Sequence, residues 1–403
     1  MLSMKNNDFP INFFRNRKPK LANLLLFLSS VFFALVCGEI LLRVLGLPHK
    51  SWTVPPPAVI NPYKENPYII KGKPFLHTHI PGAVYTQKFD TYEVLYRINS
   101  RGFRGPDVNS HSPTGMKRLL IVGDSMVEGA GVAFSKTFSM LLNQALSPHS
   151  WEVINSGAQG ASPIYFAANI PRYLEMHPDA VMLVLFDNDP ADDYYRSCYY
   201  RKAKYIPGAG SMLLIDRASS IFTLRLGQTI RRILNKQPVD TIWPHEAIST
   251  FEEVFNRHQE DNPIFRPGFQ YKIGNHVVAK EEWDDAWEIS RDYLNLFVDI
   301  MQSREIPVQM ALLSLGYRIP GAASQKKRHA EMLNESAKKW ASQREIPFLS
   351  LADGLNAELN VEGRPTIIFP KDGHLNEKGH RLVAQILRPW LLEQLSSKLP
   401  PSR

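Results

Sequence analysis

The run Ala180–Phe186, AVMLVLF, is seven residues without a polar side chain. A strand with one solvated face alternates apolar and polar residues, so a run apolar on both faces belongs at the centre of a parallel sheet covered on both sides. Shorter runs, apolar but for Gln309 and Ser350, recur at 119–122, 153–154, 308–313 and 348–351. Helical patterns lie between them. Phe138, Leu141, Leu142 and Ala145 stand at i, i+3, i+4 and i+7 and predict a helix over 137–145, and Ser162-Pro163 opens another. Longer helices read at 283–303 and 330–342, and a last one starts at the cap Asn376 with Leu382, Val383, Ile386, Leu387, Trp390 and Leu391 on one stripe. Strands alternating with helices predict an α/β fold with a doubly wound parallel sheet.

A small echo marks two of the joints. Arg304-Glu305-Ile306-Pro307 and Arg344-Glu345-Ile346-Pro347 each end a helix and open a strand, because the residue before proline is pushed out of the α region. The alternation is expected to fail between Tyr194 and about Glu281, a Tyr-, Arg-, Pro- and His-rich stretch that reads as an insertion over the carboxyl ends of the strands. Its aromatic and basic residues suit sugar stacking or anion contacts, and equally an ordinary packed cap.

The first 50 residues read differently. From Leu21 to Gly38 no charge occurs, and ILLRVLGL extends the apolar stretch to about residue 47 if Glu39 and Arg43 pair at i,i+4. One spanning helix is predicted. The chain's formal charge is +8, about half of it in residues 1–20, where Lys5, Arg15, Arg17, Lys18 and Lys20 face only Asp8. A basic tail before the span puts the N-terminus in the cytoplasm and the rest in the periplasm or outside the cell. What charge remains is too small to argue for nucleic acid. A cleaved signal peptide is the competing reading, with small residues near Val36-Cys37-Gly38, but the apolar run exceeds a usual signal core. Cys37 lacks the preceding small residue of a lipoprotein site. Cys198 alone then lies in the exported part, so no internal disulfide forms.

The resulting organisation is a tail at 1–20, an anchor at 21–47, a linker and accessory segment at 48–115 and an α/β domain at 116–400 with its insertion at about 194–281. The accessory segment, ending in YRINSRGFRGPD, reads as short strands and turns that pack the anchor-proximal side of the core.

Ligands of doubly wound sheets bind outside the carboxyl ends of the strands, so the polar residues there are the chemical candidates. Gly123-Asp124-Ser125 follows the first strand, and Ser125 sits where a helix begins, as either a nucleophile or a plain helix cap. The residue two after it is Val127, so this is not the G-x-S-x-G elbow. Asn155 to Gly160 follow the second strand and Asp187-Asn188-Asp189 the third. The Ser125 and Gly160 amides and the Asn188 side chain suit an oxyanion hole. Asp187, Asp189, Asp192 and Asp193 invite a calcium reading that fails on Pro190, Ala191 and the missing glycine, so no metal or other cofactor is expected. Asp372-Gly373-His374 precedes the last helix and supplies a base and its orienting carboxylate, which an extended segment would project to one side. His380, inside that helix, reads as structural.

GDS at 123–125, the glycine of NSGAQG at 160, FDND with Asn188, and DGHLNEKGH at 372–380 resemble the successive blocks of the SGNH, or GDSL-type, hydrolase family. The resemblance spans about 90–195 and 285–395. It implies a flavodoxin-like three-layer α/β/α fold, Ser125 as nucleophile, His374 and Asp372 as base and orienter, and Ser125, Gly160 and Asn188 as the oxyanion hole. Two positions depart from the family pattern: Phe186 stands where a glycine is usual, and one residue separates Asp372 from His374 where many members have two. The shorter spacing, the N-terminal span and RINSRGFRG are similar to membrane-anchored, exopolysaccharide-modifying relatives. The expectation is a membrane-anchored serine esterase acting on an acylated carbohydrate or a lipid ester. An O-acyltransferase of the same chemistry and a non-catalytic glycan-binding or assembly module are the alternatives.

Overall fold

The computed structural model describes residues 78–199 except 110, 282–315, and 324–396 except 362, 363 and 371, together with residues 23, 27–34, 37, 59–60 and 69–70. Most of the expected anchor, and the expected insertion beyond Tyr199, lie outside the described residues. Residues 27–34 are helical, and Phe27, Leu28, Val31, Phe32 and Phe33 are exposed. Among the described residues no helix is long and apolar enough to cross a membrane.

After two-residue strands at Val59–Ile60, Ile69–Ile70 and Thr78–His79 comes a hairpin, β1 (Val84–Phe89) and β2 (Tyr92–Arg97), paired from Val84↔Arg97 to Phe89↔Tyr92. Ile80, Ala83, Tyr85, Val94, Tyr96 and Ile98 make a small core of its own. Then follow β3 (Lys117–Gly123), α1 (Ser125–Glu128), α2 (Phe138–Leu146), β4 (Trp151–Gly157), α3 (Pro163–Ala168), α4 (Ile170–Leu174), β5 (Ala180–Phe186) and α5 (Asp189–Tyr199). The remainder is α6 (Trp283–Ser303), β6 (Val308–Leu313), α7 (Ser324–Gln343), β7 (Phe348–Ser350), α8 (Ala352–Leu359) and α9 (Glu377–Ser396).

Strands β3 to β7 form one parallel sheet in the order β7-β6-β5-β3-β4. Counted along the sheet's own strands this is 2-1-3-4-5, the flavodoxin-like order, whose switch point lies between β3 and β5. Alternate residues of the strands enter two separate cores. Leu120, Val122, Leu183 and Leu312 face α3, α4, α6 and α7, whereas Leu119, Ile121, Met182 and Leu313 face α2, α8 and α9. Each fully buried aliphatic side chain of this kind contributes roughly 1.5–3 kcal/mol. The three-layer α/β/α arrangement follows from that two-sided burial.

Three expectations are corrected. Strand β4 does not stop at Ile154 but runs to Gly157, because Asn155 is buried with its Nδ2 donating to Val127 O and Ser139 Oγ, both at 2.7 Å. Helix α5 carries through Tyr194, which is fully buried, so the alternation does not fail there; the expected insertion overlaps the end of a helix of the fold. And α7 begins at Ser324, not near 330. The two Arg-Glu-Ile-Pro joints do end helices and open strands. In both, the glutamate takes a left-handed conformation, Glu305 at φ +59° and Glu345 at φ +54°. The Ile306 and Ile346 amides reach back to Met301 O and Ala341 O at 3.0 and 2.9 Å, which is the Schellman closure of α6 and α7.

Candidate active site

Strand β3 delivers its carboxyl end beside the switch point, and α1 starts two residues later. Asp124 is the helix cap: its Oδ1 accepts from the Met126 amide at 2.8 Å, and Ser125 is the first helical residue. The serine is therefore not the cap, and its amide, at the first helical position, is one of the N–H groups that the helix itself leaves free. Strand β4 closes on this turn at Gly157, where any Cβ would collide with the Glu128 amide nitrogen. Only glycine permits that approach.

The loop before α9 arrives from 249 residues away. Ser125 Oγ donates to His374 Nε2 at 2.9 Å, and His374 Nδ1 donates to Asp372 Oδ1 at 2.9 Å. Asp372 is almost wholly buried, while a quarter of the His374 side chain remains exposed. The pairing of 372 with 374 does not come from an extended segment. Gly373 sits at φ +85° and the amides of Asp372 and Gly373 turn back to Phe369 O, so a glycine turn folds the carboxylate onto the ring. Phe369 N donates to His374 O, which ties the turn to itself.

Gly160 and Asn188 follow β4 and β5, the two strands that flank β3, so the topology sets them on either side of Ser125 at the same sheet edge. Gly160 is in a turn at φ +67°. Asn188 Nδ2 donates one proton to Asp192 Oδ2 at 2.7 Å, which fixes the amide and leaves its second N–H for use.

Electrostatics set the base. Burial alone would lower His374, but the hydrogen bond and charge of Asp372, followed by the charges of Asp124 and Glu128, outweigh it and raise its pKa above the usual histidine value. Burial also lifts Asp124 to about 7 and Asp193 to about 7, and pushes Asp189 well above the carboxylate range with Asp124's charge adding to it. Two other histidines are held neutral by burial. His380, whose Nδ1 accepts from the Phe138 amide at 3.1 Å, falls to about 3, and His329, hydrogen-bonded to Asp187 O at 2.7 Å, falls to about 4. His380 is structural, as its place inside the helix implied. The acidic residues 187, 189, 192 and 193 each accept from a separate protein donor: the Leu315 amide, the Phe186 amide, Asn188 Nδ2 and Ser290 Oγ in turn. Among the described residues no group of three or more His, Cys, Asp or Glu side chains is arranged to hold a metal ion.

Sequence reasoning passed over several residues that shape the site. Asp124 was legible, since aspartate before the first helical residue is a favoured cap. Glu128, fully buried and paired with His79 Nε2 at 2.6 Å, carried no local signal because its partner lies 49 residues away. The accessory segment packs against α1 and the histidine loop; Tyr92 and Phe369 meet at 4.9 Å between ring centroids. A cavity of about 490 Å³ between hairpin and loop is walled by Tyr92, Val94, Val132, Phe369 and Lys378.

No protein-family model and no curated protein matches the chain. Among solved structures it is similar to a catalytic mutant of an acetylxylan esterase from Geobacillus stearothermophilus, at 12% identity and a TM-score of 0.39 over 68% of this chain and 94% of that one. It is also similar to the acetyl xylan esterase AlAXEase, at 14% identity and TM-score 0.38 over 68% and 98% of the two chains. A GDSL-like lipase from Bacteroides thetaiotaomicron aligns at 9% identity and TM-score 0.34, over 69% and 89%. Overlaps this shallow add nothing to the chemistry, which rests on the geometry of Ser125, His374 and Asp372.

Proposed function

We propose that the chain is a serine esterase of the SGNH type, anchored by its N-terminal apolar segment and acting on an acylated cell-envelope glycan or lipid ester. The observation that carries this reading is the unbroken chain from Ser125 Oγ through His374 to buried Asp372 at an exposed sheet edge. A serine hydroxyl is a weak nucleophile until a base removes its proton, and the base works only when a third group fixes its tautomer. Asp372 fixes Nδ1–H, so Nε2 presents its lone pair to Ser125. Attack on the ester carbonyl moves the proton to Nε2, and the carboxylates that raise His374 stabilise the imidazolium formed. The negative oxygen is received by the Ser125 amide, with Gly160 and Asn188 at the same edge as the further donors. Each such donor is worth roughly 3 kcal/mol of barrier. The imidazolium then protonates the departing alcohol, and water, or a sugar hydroxyl in a transferase, releases the acyl group.

Support for the anchor is the charge-free sequence from Leu21 to Gly38 and the exposed apolar side chains of residues 27–34. Alkaline carbonate extraction should leave the full chain with the membrane pellet; quantitative release would reject a retained span. The esterase reading is tested by hydrolysis of an aryl acetate by the full-length protein in detergent. Turnover lost in Ser125→Ala is expected, and turnover equal in both proteins would reject it. With candidate glycans present, acetate release unchanged and no acylated glycan formed would reject transfer.

A further inference from the structure

Helix α1 holds only four residues, and one isolated turn of helix does not persist unaided because nucleation is unfavourable. Its amino end is held by Asp124. Its carboxyl end is held from outside the α/β domain. Arg104, fully buried, donates from its guanidinium to Gly129 O at 2.5 Å, Glu128 O at 3.3 Å and Val132 O at 2.5 Å. Glu128 O and Gly129 O belong to the end of the helix, where carbonyls lack a partner of their own, and Val132 O to the turn that follows. His79 Nε2 donates to Glu128 Oε1 at 2.6 Å, and Tyr85 OH donates to His79 Nδ1 at 3.3 Å. Tyr85 stacks on Tyr96 at 5.0 Å, and the Arg104 guanidinium lies 3.8 Å over the Tyr96 ring. His79, Tyr85, Tyr96 and Arg104, with Glu128 itself, close a buried ring of contacts beneath the turn that presents Ser125.

Packing alone does not call for such groups. Glu128 Oε2 is buried without a hydrogen-bond partner among the described residues, and a buried carboxylate costs stability that an apolar residue would not. What the arrangement secures is the direction of α1. We infer that His79 and Arg104 of the accessory segment are positioning residues that clamp α1 through Glu128 and so hold Ser125 Oγ on His374 Nε2. The inference rests on the esterase reading and extends it: an element outside the α/β domain completes the aim of the nucleophile that Asp124 begins. Arg172 supplies the internal contrast. It fastens the same segment, donating to Thr78 Oγ1 and Arg101 O at 2.8 Å each, but the structure gives it no hydrogen bond to α1.

The test compares kcat and KM for aryl acetate hydrolysis, with thermal unfolding, in the full-length protein. A misplacement of about 1 Å lowers turnover by roughly 100-fold, so His79→Ala should lose kcat by about that factor with KM within about twofold. His79→Gln keeps a donor to Glu128 and should recover most of it. Arg172→Lys should lower the unfolding temperature and leave kcat within about threefold. If His79→Ala does not fold, Tyr85→Phe removes one hydroxyl only and should lose about threefold to tenfold in kcat. A folded His79→Ala with kcat within threefold of wild type, or an Arg172→Lys that loses as much kcat as His79→Ala, overturns the inference. A wild-type protein that hydrolyses no ester and takes no fluorophosphonate overturns the esterase reading, and this inference with it; an active wild type with the preceding results overturns the inference alone.

Discussion

The two edges of the same five-stranded sheet carry their unfavourable features differently. At the amino edge the buried charge, Arg118, is paired with partly exposed Glu152, and the departure is conformational: Glu305 and Glu345 occupy left-handed turns beside a cavity of about 490 Å³ lined by Trp151, Pro307, Ile346 and Pro347. Each strained residue belongs to one local turn and answers to one helix end. At the carboxyl edge it is electrostatic: Asp124, Asp189, Asp193 and Glu128 are carboxyl groups taken out of water, and the groups around them come from β3, α5, α6, the accessory segment and the loop before α9. Local strain ends an element; buried charge drawn from distant parts of the chain is what chemistry requires. The carboxyl edge is therefore where substitutions should separate activity from stability.

The sharpest break in the comparison comes from the triad. Ser125→Ala should lower kcat/KM for an aryl ester by about 10,000-fold or more with an unchanged unfolding temperature. Loss of stability in place of activity would make the carboxyl edge no different from the amino edge. Asp372→Asn should cost roughly 100- to 10,000-fold by releasing the imidazole tautomer. It should also lower the acid limb of the pH profile. Only neutral His374 accepts the serine proton, and its raised pKa in wild type places that limb above the ordinary histidine value; removing the Asp372 charge brings it down. An acid limb that stays in place would remove Asp372 from the site.

Next comes the effect of a buried acid on stability. Asp193, hydrogen-bonded by Ser290 Oγ at 2.6 Å and by the Ile164 amide, is raised to about 7 from 3.8 by burial. The folded protein keeps this proton between about pH 4 and 7 while the unfolded chain releases it, so the group makes stability fall as pH rises through that window. In Asp193→Asn the slope of unfolding free energy against pH over that window should become more positive by up to about 1.4 kcal/mol per pH unit. An unaltered slope in chemical denaturation at several pH values would show that the group is not protonated in the fold. The smallest effect is at the amino edge. Glu305→Gly and Glu345→Gly should each stabilise by about 0.5–1 kcal/mol by relieving the left-handed turn, with kcat/KM unchanged. A loss of activity there would contradict the division between the edges.

The sheet was legible wherever burial was written in uninterrupted apolar residues. β5, β6 and the long helix α6 stand where their patterns put them, because strands covered on both faces are built almost wholly from apolar side chains, buried Gln309 of β6 being the exception. Buried polarity hid the end of β4. Asn155 ends an apolar pattern in the sequence yet continues β4, since its amide is satisfied by Val127 O and Ser139 Oγ. The polar composition after Tyr194 hid the continuation of α5. Of the site, the serine was legible at a strand end, and the aspartate and histidine as a pair before the last helix. The support was not: nothing local in Glu128 announces His79 or Arg104, because their meeting is a product of the tertiary fold. Asp372-Gly373-His374 gave the right pair through the wrong geometry, a left-handed turn in place of an extended segment.

The central claim is that Ser125 is an activated nucleophile. Intact-mass analysis of the full-length protein after treatment with a fluorophosphonate, followed by peptide mapping, reads that property directly. The account predicts one adduct per chain, on the peptide containing Ser125, abolished in Ser125→Ala and strongly slowed in His374→Ala. A folded wild-type protein that takes no adduct, or takes it on another residue, would contradict it.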